Sequence, residues 1–212
     1  MHLTVFGATG QVGKRVVQQA LNRGFTVTAF GRNVESLIDQ DNRNEKLIAI
    51  KGYILDQKDI AKALINTDVV ISVLGGAFDG NDKSRSLGMK NIIEQMKAMN
   101  IKRIVALGGI GVLNADDEHL LIDMPDYPEE FVPVGKEHQK AYEQLNGSGL
   151  DYTFYCPPTI IDADETGLFS TSVNYAPEPN SYQINAGDLA LSMLNAVAKN
   201  EFVNQRVGIC RR

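Results

Sequence analysis

The sequence predicts a doubly wound α/β protein, one parallel sheet with helices on both faces, on three observations. Over the first 110 residues, short β-branched runs alternate with longer amphipathic segments, the signature of successive βαβ units. The runs are almost continuously apolar, as strands covered on both faces require. A glycine-rich segment joins the first run to the first amphipathic stretch. With 212 residues, 43% of them hydrophobic, the chain can bury one sizeable core, and no shift in composition marks a boundary. The expected organisation is one unit over 1–212. The stretches 112–133 and 157–185 are expected to be loop excursions over a site, with a small irregular C-terminal substrate cap.

Strands are expected at Leu3–Phe6, Phe25–Phe30, Leu47–Ile50, Asp68–Leu74 and Ile101–Leu107. The first helix carries Val12, Val16, Val17, Ala20 and Leu21 at helical spacing, and a later one spans about Ser84 to Met99 through Leu87, Ile92, Ile93 and Met96. Gly24 and Asn100 are their stop signals. All seven prolines follow Met124, so regular winding should give way there to loops shaped for a ligand. Between Ile104 and Gly135 stand seven Asp or Glu residues and no Lys or Arg. This acidic excursion is read first as an ordinary solvated loop and second as a lid that would disfavour anionic substrates. A helix over about Lys136–Leu145 follows, then a strand Tyr152–Cys156, an irregular stretch Pro157–Ile184, a helix Asp188–Ala198 and a short strand near Val207.

Charge and composition exclude several classes. Twenty-one Lys+Arg against 26 Asp+Glu give a net charge of -5, with no basic stripe to release counterions from a nucleic-acid backbone. The longest uncharged apolar stretch, Val69 to Phe78, contains Gly75 and Gly76 and falls far short of the roughly 20 residues of a membrane span. Patterned structure begins at Leu3, which leaves no room for a signal peptide, so a cytoplasmic location is expected. Cys156 and Cys210 lack metal-site spacing and read as buried, unpaired thiols. Oligomeric state is left open.

The chemistry-bearing segment is Gly7-Ala8-Thr9-Gly10-Gln11-Val12-Gly13, between a strand and a helix. A dinucleotide cradle needs a sharp turn at Gly7, no side chain at Gly10 where pyrophosphate approaches, and close helix packing at Gly13. Amides at the helix start then face the phosphates. The plainer alternative is a tight βα connection and nothing more; the glycine spacing between this strand and this helix favours nucleotide binding over it.

With its GxxGxxG spacing, the sequence resembles the atypical short-chain dehydrogenase/reductases, the NmrA-like NAD(P)-binding Rossmann family, over essentially the whole chain. Within that group it is most similar in type to biliverdin IXβ/flavin reductase. The likeness rests on Val5-Phe6-Gly7-Ala8-Thr9-Gly10-Gln11, Val73-Leu74-Gly75, Gly147-Ser148-Gly149-Leu150 and Pro157-Pro158. It implies coenzyme contacts from Gly7, Thr9, Gly10, Gln11, Val12 and Gly13, from Ile54 beside the adenine, from Leu74, Gly75 and Gly76 beside the ribose and nicotinamide, and from Pro157. Tyr53 departs from the family pattern and either stacks on adenine or merely covers it. Gly108 and Gly109 stand where many relatives have substrate-binding hydroxyls.

About twenty residues past the glycines, where NAD binders place an acid for the ribose 2'-hydroxyl, this chain has Arg32. A guanidinium can clamp a 2'-phosphate bidentately, which favours NADP(H) over NAD(H). The bland alternative is a surface arginine.

The superfamily's Tyr-x-x-x-Lys pair is missing. Tyr142 has Asn146 four residues on, and Lys140 has Lys136 four before. His138 and Tyr142, at i and i+4, are the candidate catalytic residues, the alternative being a solvated histidine on an amphipathic helix. His119 reads as surface. Without an acid/base pair, hydride transfer to a small conjugated acceptor such as a flavin, quinone or tetrapyrrole remains workable, because the proton can come from solvent. Candidate walls are Phe78, Phe131, Tyr155, Thr159, Phe169 and Tyr175. The sequence thus points to an NADPH-dependent reductase. A non-catalytic NADP(H) sensor of the NmrA-like kind is the alternative. An epimerase is disfavoured by the missing Tyr/Lys pair and the short C-terminal segment.

Overall fold

A computed structural model describes residues 1–40 and 44–212. In chain order, β1 (His2–Phe6), α1 (Gln11–Asn22), β2 (Thr26–Gly31), α2 (Glu35–Gln40), β3 (Leu47–Lys51), α3 (Gln57–Ala63), β4 (Val69–Ser72), α4 (Ser84–Ala98) and β5 (Arg103–Leu107) alternate as expected. The chain continues through α5 (Val132–Asn146), β6 (Asp151–Cys156), β7 (Thr159–Ile161), β8 (Phe169–Val173), β9 (Gln183–Asn185), α6 (Ala186–Lys199) and β10 (Gln205–Arg211). The main sheet runs β3-β2-β1-β4-β5-β6-β10-β8. It is parallel except for β8, which pairs antiparallel with β10.

Alternate residues of each strand feed two cores, since successive side chains point to opposite faces. Val5, Ala29, Ile71, Val105 and Tyr155 face one side, under α1 and α6, where Val12, Val16, Leu189 and Met193 pack. Their neighbours Phe6, Phe30, Val70, Ile104 and Phe154 face the other side, under α3, α4 and α5. This double coverage explains why the strands read as unbroken apolar runs. Gly24 and Asn100 end their helices with positive φ, 79° and 58°, and both cysteines are free and buried.

Three expectations need correction. The helix after the acidic excursion begins at Val132, with Pro133 in its first turn, where a missing N–H breaks no helical hydrogen bond. Pro133 therefore starts a helix and does not interrupt a loop. The stretch 157–184 is not wholly irregular. It carries β7, β8 and most of β9, short strands whose polar residues (Phe169-Ser170-Thr171-Ser172-Val173, for example) hide their pairing. The strand near Val207 has seven residues and lies between β6 and β8.

The turn from β1 into α1 is held by glycines for different reasons. Gly7 has φ +86°, and a Cβ there would lie 2.5 Å from the Val73 carbonyl oxygen. A Cβ on Gly13 would collide with the Gly7 carbonyl and the Ala8 backbone, whereas one on Gly10 would meet nothing nearer than 3.4 Å. We expect Gly13→Ala to cost about 1–3 kcal/mol of stability, as overpacking against backbone does, and Gly10→Ala to cost far less. Urea unfolding of the two variants checks this.

Candidate functional site

A cleft of about 1200 Å³ opens along the carboxyl ends of the strands, where open α/β sheets bind ligands. It exceeds the ~300–1,000 Å³ of ordinary small-molecule pockets. One half is built on β1, β2 and β3. There Gly7, Thr9, Gly10, Gln11 and Val12 form the floor, Arg32 stands at one end and Ile54 at the side. Gly13 faces the turn behind this floor, as the Gly7 contact requires. The start of α1 has no acidic residue in its first turn and no side-chain cap, so its positive end is free to act on an anion in the cleft. The start of α3 contrasts with it, because the Asp56 carboxylate accepts hydrogen bonds from the amides of Lys58 and Asp59.

Arg32 is exposed at the mouth, and no ion pair involving it occurs among the described residues. Glu35, the next carboxylate along, lies 3.0 Å from Lys51, which holds its carboxyl below the ordinary value. Ile54 is seated by Gly88 of α4, where a Cβ would come within 2.8 Å of Ile54 and 2.9 Å of Leu74. Tyr53 is 63% exposed. Leu74, Gly75 and Gly76 continue past β4 along the cleft, and Pro157 borders it from the end of β6.

The other half is built on the turns after β4, β5 and β6. Phe78, Leu121, Met124, Tyr127, Phe131 and Thr159 line it, so part of the acidic excursion does face the cleft. Residues 114–120 do not. They fold on themselves through the Asn114–Leu120 bridge, and His119 pairs with Asp116 on the surface. Of the expected walls, Phe78, Phe131 and Thr159 are present. Tyr155 is buried with its hydroxyl on Ser192, and Phe169 and Tyr175 lie elsewhere.

His138 reaches this half, and Tyr142 does not. One helical turn further from the mouth, Tyr142 packs against Tyr152 and Phe154, ring centroids 6.2 and 5.6 Å away, under the Arg206 guanidinium at 5.0 Å. Sharing a helix face brings it to the sheet and not to the cleft. The Cδ2–Nε2 edge of His138 lies over Gly109, where a Cβ would sit 2.9 Å from Cδ2. Gly108 likewise makes room for the Phe154 ring. The His138 Nδ1 is sealed from solvent with no protein partner. Burial, and then the charge of Arg85, push its pKa down to about 3 against the opposing pull of Glu137.

Two residues that sequence reasoning missed organise this half. Arg85, 6% exposed, donates from both terminal nitrogens to the carbonyls of Ala77 and Gly76, each at 2.9 Å. Glu137, 1% exposed, accepts from Ser86 of α4 and from Lys83 and Lys140 at 3.1 and 3.0 Å. Burial alone would raise the Glu137 pKa, but these three donors outweigh it and hold the carboxyl below its ordinary value. Neither residue sits in a motif, since Arg85 is held by backbone carbonyls and Glu137 by Lys140 of its own helix together with Lys83 and Ser86, about fifty residues earlier.

A family model described as NAD(P)H-binding matches residues 7–200. The chain belongs to the NAD(P)H-binding family. The match begins at Gly7, the first glycine of the turn into α1, and the Rossmann-type parallel sheet with its helices is shared with solved structures of similar fold. Bacillus subtilis YwnB, itself an uncharacterised protein, is 26% identical over 97% of this chain and 96% of its own. A Streptococcus pneumoniae protein provisionally designated an NADH-flavin reductase superposes with a TM-score of 0.83 at 25% identity over 100% of both chains. A Burkholderia pseudomallei protein provisionally designated as exported does so with 0.84 at 27% over 99% of both. The size of the cleft suits a small molecule. Among the described residues no helix is long and apolar enough to cross a membrane.

The lowered His138 pKa has a stability consequence. An unfolded histidine takes up a proton near pH 6.5 and the folded one only near 3, so the unfolded state binds more protons in between and stability falls as pH falls through that window. We expect His138→Gln to flatten the pH dependence between 6.5 and 5, above the carboxylate range. Urea midpoints measured across those pH values check it, and an unchanged slope would count against a buried neutral imidazole.

Proposed function

We propose that this protein is an NADPH-dependent reductase that delivers hydride to a small, flat, conjugated acceptor. The observation that carries the reading is the continuity of the cleft, which joins a glycine cradle with Arg32 at one end to an apolar, aromatic-walled half at the other. The residues fit the coenzyme on the chain's own chemistry. The α1 start is uncapped, Gly10 is open toward the cleft, and the carboxylate nearest the end of β2 is engaged by Lys51.

Gly7, Thr9, Gly10, Gln11 and Val12 would hold the pyrophosphate, Ile54 the adenine, and Leu74, Gly75, Gly76 and Pro157 the nicotinamide side. Gly13 acts from behind by letting α1 approach. Arg32 would grip the 2'-phosphate with charge-assisted hydrogen bonds. The chemistry supplied by the reduced coenzyme when bound is a hydride, which the acceptor takes together with one proton. His138, neutral at working pH, contributes a hydrogen-bonding edge and no acid, so that proton comes from solvent. What the protein adds is proximity and orientation, a large effect by itself. Tyr142, packed on Tyr152 and Phe154, takes no part. The excursions 112–133 and 157–185 serve the same unit, contributing to the cleft through 121–131 and through 157–160 with Tyr182.

Fluorescence titration with NADPH and NADH, followed by a turnover screen with riboflavin and quinones, tests the proposal. Tight NADPH binding with steady acceptor-dependent oxidation is expected. Tight binding without turnover on any acceptor would replace the reductase with a coenzyme sensor. Arg32→Ala removes an interaction of about 1.5–3 kcal/mol for hydrogen bonds to charge, so it should weaken NADPH roughly ten-fold or more and leave NADH nearly unchanged. Equal losses would refute the 2'-phosphate role.

A further inference from the structure

The half of the cleft beyond the cradle has an unbalanced charge. Asp82, Arg85 and Asp126 are the acidic and basic residues lining it. Asp82 and Arg85 face each other across Gly76, where a Cβ would lie 2.5 Å from the Asp82 carboxylate and 3.0 Å from an Arg85 nitrogen. Both terminal nitrogens of Arg85 are also committed to carbonyls. Asp126 is exposed and has no ion pair among the described residues. The lysines of the neighbouring elements are engaged, Lys83 and Lys140 by Glu137 and Lys136 by Asp123. Glu129 and Glu130, exposed and placed in the chain between the cleft-lining Pro128 and Phe131, add two more negative charges beside it.

A planar molecule entering here meets apolar walls and a negative rim, and Arg85, the one cation lining this half among the described residues, is buried with both terminal nitrogens held by carbonyls. A phosphate monoester carries roughly −1.5 to −2 charges at pH 7. Seating one against this half would strip its hydration without supplying a partner, and the rim would repel its approach over about 10 Å at moderate salt. A neutral ring of the same shape loses nothing by either route.

We propose that this half of the cleft selects uncharged flat acceptors and rejects anionic ones, with Asp126, Glu129 and Glu130 as the specificity-determining residues. The selection concerns turnover only if the reductase reading holds, so the test separates the two. Riboflavin and FMN present the same reducible ring and differ by one phosphate. With the NADPH-loaded protein at low ionic strength, kcat/KM for riboflavin should exceed that for FMN by about ten-fold or more, and the gap should shrink as salt is added. In the triple variant Asp126→Asn, Glu129→Gln, Glu130→Gln, FMN should recover most of that gap while riboflavin changes little. Equal use of the two flavins, or preference for FMN, would overturn the proposal. If neither is turned over, and no quinone is either, the reductase reading falls. Equilibrium binding of the same flavins to coenzyme-loaded protein then decides the selection alone, where tighter riboflavin sustains it and equal, reversed or absent binding overturns it.

Discussion

The glycine-floored half of the cleft depends on how closely α1 can sit against the end of β1. Gly13 lies so near the Gly7 carbonyl that a single added carbon would collide with it. That approach aims the amide end of the helix into the cleft, and Gly7, tucked under Val73 with positive φ, turns the chain sharply enough to permit it. The helix is also backed from outside. Arg15 pairs with Asp162 and Asp164 at 2.7 and 3.0 Å, and Gln19 bonds the Gly187 carbonyl. The first turn is therefore wedged between the sheet and the C-terminal segment, and its dipole works against a fixed background.

The opposite half is organised by charge buried between helices. Glu137 draws the start of α4 and the first turns of α5 together through Ser86, Lys83 and Lys140, while Arg85 fastens the turn at Gly76 and Ala77. Removing one partner from such a cluster is costly because the others remain buried. The same cluster explains the state of His138. Its nearest strong charges are set by Arg85 and Glu137, and burial decides in favour of the neutral ring.

The sheet and the cradle were legible because their signals are local. Apolar runs at Leu3, Thr26 and Ile104 and the glycines at 7, 10 and 13 are dictated by the two-sided burial and close approach of neighbouring segments. The C-terminal strands were hidden because β8 and β9 owe their conformation to partners far along the chain, not to their own composition. Arg85 and Glu137 escaped notice because no motif announces their partners, the carbonyls of Gly76 and Ala77 for one and Lys83, Ser86 and Lys140 for the other. Helical spacing grouped His138 with Tyr142, but it carries no information on depth, and one turn separates the cleft from the core.

The strand order has a consequence for how the molecule assembles. β8 precedes β10 in the chain, yet its one sheet neighbour among the described residues is β10, which also covers the edge of β6. Until residues 205–211 arrive, β8 has nothing to pair with and β6 offers an uncovered edge open to other chains. During synthesis β1 to β5 can dock early, while the margin of the sheet is sealed only by a strand that follows all the others in the chain. Loss of those few residues would expose two strands at once and invite aggregation.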